Sequence, residues 1–172
     1  SYFGDRGAVL DRIAIICADE KEFETQFAWL NPVLSKYQEQ PVLLQAALPE
    51  MIEPLTNKML EIIEKDRDNE WNGIIGNKHF DGICSVVQLI CRVRGYKHVL
   101  KLFPHEVSHL EPTLTILARH NEKTKSGDFC AAAQWETRFV LLLWLCIQCL
   151  IPFDICSMDS SSSSNTVSDA GA

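Results

Sequence analysis

Trp135-Glu136-Thr137-Arg138-Phe139-Val140-Leu141-Leu142-Leu143-Trp144-Leu145-Cys146-Ile147-Gln148-Cys149-Leu150-Ile151-Pro152-Phe153-Asp154 is the stretch on which the fold turns. From Phe139 to Ile147 every side chain is apolar. A helix that is apolar all round has to be covered on more than one side. The run from Phe139 to Ile151, with Gln148 inside it, is too short to span a bilayer. It predicts a helix buried between neighbours, with Leu142, Leu143, Trp144 and Cys146 inside. Pro152 stops it, because proline disfavours helix at the residue before it.

The rest of the chain has the same period. Val9, Ile13, Ile16 and Cys17 sit at helix spacing. Phe23, Phe27, Leu30 and Leu34 form a second stripe, with Pro32 inside it. Met51, Leu55, Met59 and Ile62 or Ile63 form a third, with Pro54 near its first turn. Asp66 to Glu70 is a charged loop. Ile83, Val86, Val87, Ile90 and Val93 form a fourth stripe. It is closed by Gly95 just past Arg92 and Arg94, a normal helix end. Tyr96 to Leu102 reads as a short helix and His105 to Arg119 as a longer one, with Pro104 near its start. Glu122 to Asp128, polar and containing Gly127, reads as a loop, and Ala131 to Ile151 as the last long helix.

No strand pair or hairpin signal stands out. The expectation is an all-α fold of antiparallel helix pairs, either a closed bundle or stacked pairs as in HEAT and armadillo solenoids. The all-apolar final helix favours the solenoid, where each pair is covered by the next. The expected domains are a helical-repeat domain over 1–156 and a disordered, Ser-rich tail over 157–172.

The 172 residues carry a net charge of −7, which argues against binding the phosphate backbone of nucleic acid. Seven cysteines in a long helical chain do not suit a disulfide scaffold. Cys17, Cys84, Cys91, Cys146 and Cys149 lie in apolar helical context and read as reduced core residues. Cys84 and Cys91 are two turns apart, about 10 Å, too far to bridge. Cys146-Ile147-Gln148-Cys149 has the Cys-x-x-Cys spacing but sits near a helix C-terminus in an apolar run. Redox pairs use the N-terminus, so core packing is the reading.

His105-Glu106-Val107-Ser108-His109 matches His-Glu-x-x-His. On a helix, two histidines four apart share a face and hold zinc, with the Glu as base. Here the motif opens its helix right after Pro104, and Pro112 stands where an extended motif has Gly. Glu136 is the only third ligand to suggest itself. A polar helix start is the plainer reading, with a zinc metallopeptidase as the alternative. Trp135 and Arg138, one turn apart, can stack in a structural role. Arg92, Arg94, Lys97 and Lys101, with His98, form the basic cluster of the chain. It reads as a solvated helix end or as a contact for an acidic partner.

Three ordered blocks carry a family resemblance. They are Lys36-Tyr37-Gln38-Glu39-Gln40-Pro41-x-Leu43-Leu44; Val93-Arg94-Gly95-Tyr96-Lys97 followed by Leu102-Phe103-Pro104-His105-Glu106-Val107 and Glu111-Pro112; and Trp135-Glu136-Thr137-Arg138, the Leu141-Leu142-Leu143-Trp144-Leu145 core and Leu150-Ile151-Pro152-Phe153-Asp154. Together they resemble the amino-terminal region of the tubulin-folding cofactor D family over roughly residues 20–156. The resemblance implies a helical-repeat array and a cytoplasmic, cytoskeleton-associated chaperone that is not an enzyme. It implies capture of β-tubulin and assembly of the αβ-tubulin heterodimer. It also implies stimulation of tubulin GTP hydrolysis together with cofactors C and E, and binding of an ADP-ribosylation-factor-like small GTPase. No cofactor, metal, nucleic acid or membrane span is expected, on the charge, the helix length and the motif contexts above. In the family the array runs on past Pro-Phe-Asp. Here the sequence turns to serine, so a fragment, a truncated product or a divergent form is expected.

Overall fold

The computed structural model describes residues 2–126 and 134–150. Among these, seven α-helices and six short 3-10 turns account for the regular structure, and there is no strand. The α-helices are α1 (Arg6–Ala18), α2 (Phe23–Ser35), α3 (Leu48–Lys65), α4 (Lys78–Arg94), α5 (Tyr96–Leu100), α6 (Leu110–Lys125) and α7 (Trp135–Leu150).

The apolar stripes become the core. Val9, Ile13 and Ile16 of α1 are buried, as are Leu30 and Leu34 of α2 and Met51, Leu55, Met59 and Ile63 of α3. So are Ile83, Val86, Val87, Ile90 and Val93 of α4. The local signals act where expected. Asn77 caps α4 by accepting from the Phe80 N–H at 2.9 Å. Gly95 closes it at φ +96°, a conformation few side chains tolerate, with its N–H on the Cys91 carbonyl at 2.9 Å. Pro32 and Pro54 lie inside α2 and α3 without ending them.

The helices pair antiparallel and stack. Tyr37, just past α2, donates its hydroxyl to Asp5 ahead of α1, and Arg12 of α1 donates to Gln26 of α2 at 2.6 Å, so the two helices run in opposite senses. Gln45, ahead of α3, accepts from Arg94 at the end of α4, so these two also oppose. Thr113 meets Gln148, and His120 feels the charge of Arg138, which sets α6 against α7. Between pairs the sense is shared. Phe23 packs on Gly82 and Asn31 on Arg92, so α2 and α4 run side by side in one direction. Thr137 at the start of α7 donates to Asp81 at the start of α4, continuing the same layer. This layer of α2, α4 and α7, backed by α1 packed on α3 and by α6, is the stacking of an armadillo-type solenoid.

Four expectations need correction. The α6 helix begins at Leu110, not His105, after a 3-10 turn Val107–His109, and it continues through Glu122 to Lys125. The short helix α5 ends at Leu100. The last helix is not covered all round. Val140, Leu141, Leu143, Trp144 and Gln148 are buried, whereas Leu142 is 46% and Leu150 is 72% exposed. Cys146 and Cys149 are exposed too. Residues two apart on a helix lie about 200° apart, so Trp144 turned inward puts Leu142 and Cys146 outward. The proposed ends of this helix, the stop at Pro152 and the Ser-rich tail lie outside the described residues.

No described helix is long and apolar enough to cross a membrane. Trp144→Ala is expected to destabilise the chain by about 3–5 kcal/mol, and Leu142→Ala by less than about 1 kcal/mol. Denaturant melts of the two variants check this; equal costs would mean that both side chains are buried.

Candidate functional site

Two of the three sequence blocks meet in space. Trp144 of α7 is 1% exposed, and its indole N–H donates to the Pro104 carbonyl at 2.6 Å. Phe103 meets the same ring edge-on at 6.3 Å between centroids, and His109 lies against it at 5.8 Å. A buried tryptophan has to find an acceptor for its N–H. An irregular stretch between helices supplies one, since its carbonyls are not committed to a helix. This also explains why α6 starts late. The Pro104 carbonyl is taken by Trp144, and the chain stays extended through Glu106, at φ −71° and ψ 145°.

That geometry takes the zinc motif apart. His105 is exposed outside any helix, with Nδ1 3.2 Å from the Phe103 carbonyl oxygen, while His109 turns inward against Trp144. The two rings do not share a helical face. Glu136 lies at the opposite end of α7, near Asp81 and Cys84. Among the described residues no three His, Cys, Asp or Glu side chains form a metal-holding group.

The structure divides the basic cluster. Arg92 donates to Asn31 at 2.7 Å and to Ser35 at 3.4 Å, which turns it toward α2. Arg94 turns the other way, to Gln45. Lys97, His98 and Lys101 are exposed. Arg94 and Lys101 both act on His98; slight desolvation first, then these two charges, hold its imidazole below the ordinary value. So Arg94, Lys97, His98 and Lys101 belong together, and Arg92 stands apart. The ion pairs among the described residues lie elsewhere: Arg6–Glu50, Lys58–Glu61, Lys65–Glu61, Arg67–Glu64 and Arg119–Glu70.

The remaining singled-out residues are structural. Trp135 is 48% exposed, and no stacking with Arg138 occurs among the described residues. The cation–π contact sequence reasoning missed is Arg12 over Trp29, at 4.2 Å from the ring centroid. Its partners lie on different helices, which no local spacing reveals. Cys84 and Cys91 are buried, as expected, and burial pushes Cys91 up to about 12 and Cys84 well above its usual value. Cys17 is half-buried, donates weakly to the Pro54 carbonyl, and is raised to about 11, chiefly by burial. Burial thus disfavours the reactive thiolate form of all three.

Two open clefts accompany these features. One of ≈540 Å³ lies between α3 and the start of α6, lined by Glu61, Glu64, Trp71 and His109. Its two carboxylates are already paired with lysine and arginine. The other, of ≈480 Å³, is lined by Lys21, Phe23, Lys78 and Asp81.

Asp81 is a half-buried acid where α4 meets the start of α7. Its carboxylate accepts from Thr137 at 2.6 Å, yet burial pushes it up to about 6, the Thr137 bond opposing and the Glu136 charge reinforcing the rise. An acid raised in the folded state favours folding while protonated, and that contribution is lost as pH climbs from about 4 through 6. His109 and His120 are lowered, mainly by burial, so they oppose folding as pH falls through their ordinary value. Asp81→Asn keeps an acceptor for Thr137 and removes the buried charge. It is expected to raise stability at pH 7.5 by about 1–3 kcal/mol, with the advantage gone at pH 4. Melting curves across this range check it; a loss of stability at pH 7.5 would mean the carboxylate is held by a favourable partner.

Elemental analysis gives a second check. The purified chain is expected to carry no stoichiometric zinc, and His105→Ala to leave its metal content unchanged; about one zinc per chain, lost in His105→Ala, would restore the metallopeptidase reading.

The fold and its surfaces define a helical-repeat scaffold of the armadillo type. Comparison with known proteins gives the lineage. The model of the family described as tubulin-specific chaperone D-like, ARM repeat, matches residues 34–170. The chain belongs to this family. It is similar to Tubulin-folding cofactor D of Schizosaccharomyces pombe, 26% identical over 147 residues. That match covers 83% of this chain and 11% of the yeast protein, so the chain spans about a tenth of its relative's length. No solved structure matches the chain.

Proposed function

We propose that the chain is a binding scaffold of the tubulin-folding pathway that contributes part of the surface holding β-tubulin while the αβ heterodimer is assembled. The observation that carries this reading is the family match over most of the chain. In this reading the chain is not an enzyme and takes no cofactor, and the GTP hydrolysed is tubulin's own. The whole protein would act with cofactors C and E and with an ADP-ribosylation-factor-like small GTPase, in the cytoplasm and at the cytoskeleton. The helical-repeat domain is assigned to 1–156 and the Ser-rich tail to 157–172. The cluster Arg92, Arg94, Lys97 and Lys101 is proposed as the electrostatic contact, supported by the exposure of Lys97 and Lys101 and by the absence, among the described residues, of carboxylates paired with any of the four. Repeat arrays bind along extended surfaces, and two or three helix pairs supply a fraction of one.

The test is a pull-down of the 172-residue chain with β-tubulin and, separately, with the small GTPase. Weak, salt-sensitive retention of β-tubulin is expected, and reversing the four charges is expected to reduce it. If β-tubulin is not retained even at low salt, the chain is a helical scaffold for something else.

A further inference from the structure

We propose that the outward face of α5, formed by Lys97, His98 and Lys101 with Arg94 and Tyr96 at its edges, docks an acidic polypeptide segment and takes up a proton at His98 as it does so. This rests on the scaffold reading above but not on tubulin being the partner.

Three observations carry it. The first is compactness. The α5 helix is five residues long, about 7.5 Å. It is fixed from below by buried Val99 and half-buried Leu100, packed on α4 and α7. Lys97, His98 and Lys101 therefore stand on one short, anchored platform, with Tyr96, 49% exposed, on the other side of Lys97 from His98.

The second is charge without compensation. Every ion pair among the described residues lies on α1, α3, the loop after α3, or α6. In a chain of net charge −7 the cations at the end of α4 and on α5 meet no carboxylate among the described residues. Arg94 is instead held by the amide oxygen of Gln45, Nε at 3.0 Å. A neutral acceptor fixes the guanidinium in place and leaves its charge free to act outward.

The third is the position of His98. The charged groups acting on it are Arg94 from the end of α4 and Lys101 beyond α5, both positive. The charged residues of α7, the other helix packed on α5, are Glu136 and Arg138 near its far end, and neither acts on the imidazole. Slight desolvation, and then the Arg94 and Lys101 charges, hold the imidazole below its ordinary value. Carboxylates arriving from a partner reverse the local field and favour the protonated form, so binding tightens as pH falls toward 6.

The size of the platform selects the partner class. Nucleic acid and anionic membranes need a basic surface spread over many residues, and both are repelled by the acidic remainder of this chain. A few carboxylates on an extended segment match Arg94, Lys97 and Lys101, three cations within about two turns.

The probe is a short peptide of alternating Glu and Gly, titrated calorimetrically into the 172-residue chain at low salt in two buffers of different ionisation enthalpy. The expected result is binding with net proton uptake at pH 7, about threefold to tenfold tighter at pH 6 than at pH 8. Lys97→Glu with Lys101→Glu is expected to weaken it about tenfold or more, and Lys123→Glu with Lys125→Glu to leave it unchanged. His98→Gln is expected to keep the pH 8 affinity and lose the uptake. Absence of binding, equal binding to the charge-reversed chain, uptake that persists in His98→Gln, or equal binding of a single-stranded oligonucleotide or anionic vesicles would each overturn the proposal. Peptide binding without retention of β-tubulin leaves this inference standing and removes the tubulin reading; the converse removes only this inference.

Discussion

The indole of Trp144 seated under the Pro104 carbonyl is the contact on which the placement of α7 depends. It joins two stretches forty residues apart, at 2.6 Å, in a site that Phe103 and His109 close from the sides. A buried indole contributes a large apolar surface, and its N–H has to be satisfied or the burial is costly. The loop from Phe103 to Glu106 satisfies it and is itself kept out of helix by doing so. The same contact sets the register of α7 on α4 and α6. That register decides which face of the apolar run points inward.

The contacts of α7 differ from those of the first four helices in how much buried hydrogen-bonding capacity they leave unfilled. The α1–α4 interfaces join a continuous apolar core edged by filled polar contacts, Arg12 on Gln26 and Arg92 on Asn31 among them. Those of α7 contain Thr137 on Asp81 and Gln148 on Thr113, both side chain to side chain. The buried polar atoms without a protein partner among the described residues are Asp81 Oδ2, His109 Nδ1, both ring nitrogens of His120, and Gln148 Oε1. All belong to residues at the contacts of α7 with its neighbours. Polar groups buried with unfilled hydrogen-bonding capacity lower the net gain from docking. The stack is therefore firmest around α1–α4 and most sensitive to pH where α7 joins it.

Much of the fold was legible from the sequence, because the amphipathic stripes of α1–α4 have one apolar face each and Asn77 and Gly95 mark true ends. What was not legible has physical causes. The run Phe139–Ile147 says that the helix is apolar, but which face is covered depends on which neighbours are present to cover it. Polar composition made Glu122 to Lys125 look like loop, whereas a surface helix tolerates it, and Thr124 bonds back to the His120 carbonyl within the helix. His-Glu-x-x-His looked like a metal motif because spacing alone does not say whether its residues are helical. The basic cluster was found by adjacency in the chain, yet Arg92 and Arg94, two residues apart on a helix, diverge to α2 and to Gln45. Only the fold could say that Arg92 turns away from the group while His98 stays in it.

Site-resolved hydrogen exchange of the Trp144 indole N–H, read by NMR beside the backbone amides of α4, tests the central contact most directly. If the Trp144–Pro104 bond anchors the final helix, this proton exchanges far more slowly than the indole protons of exposed Trp135 and half-buried Trp71, and its protection falls together with that of the α7 amides as one cooperative unit. An indole proton at Trp144 that exchanges as fast as that of Trp135 would contradict the account, because α7 would then not be held by the loop on which its register depends.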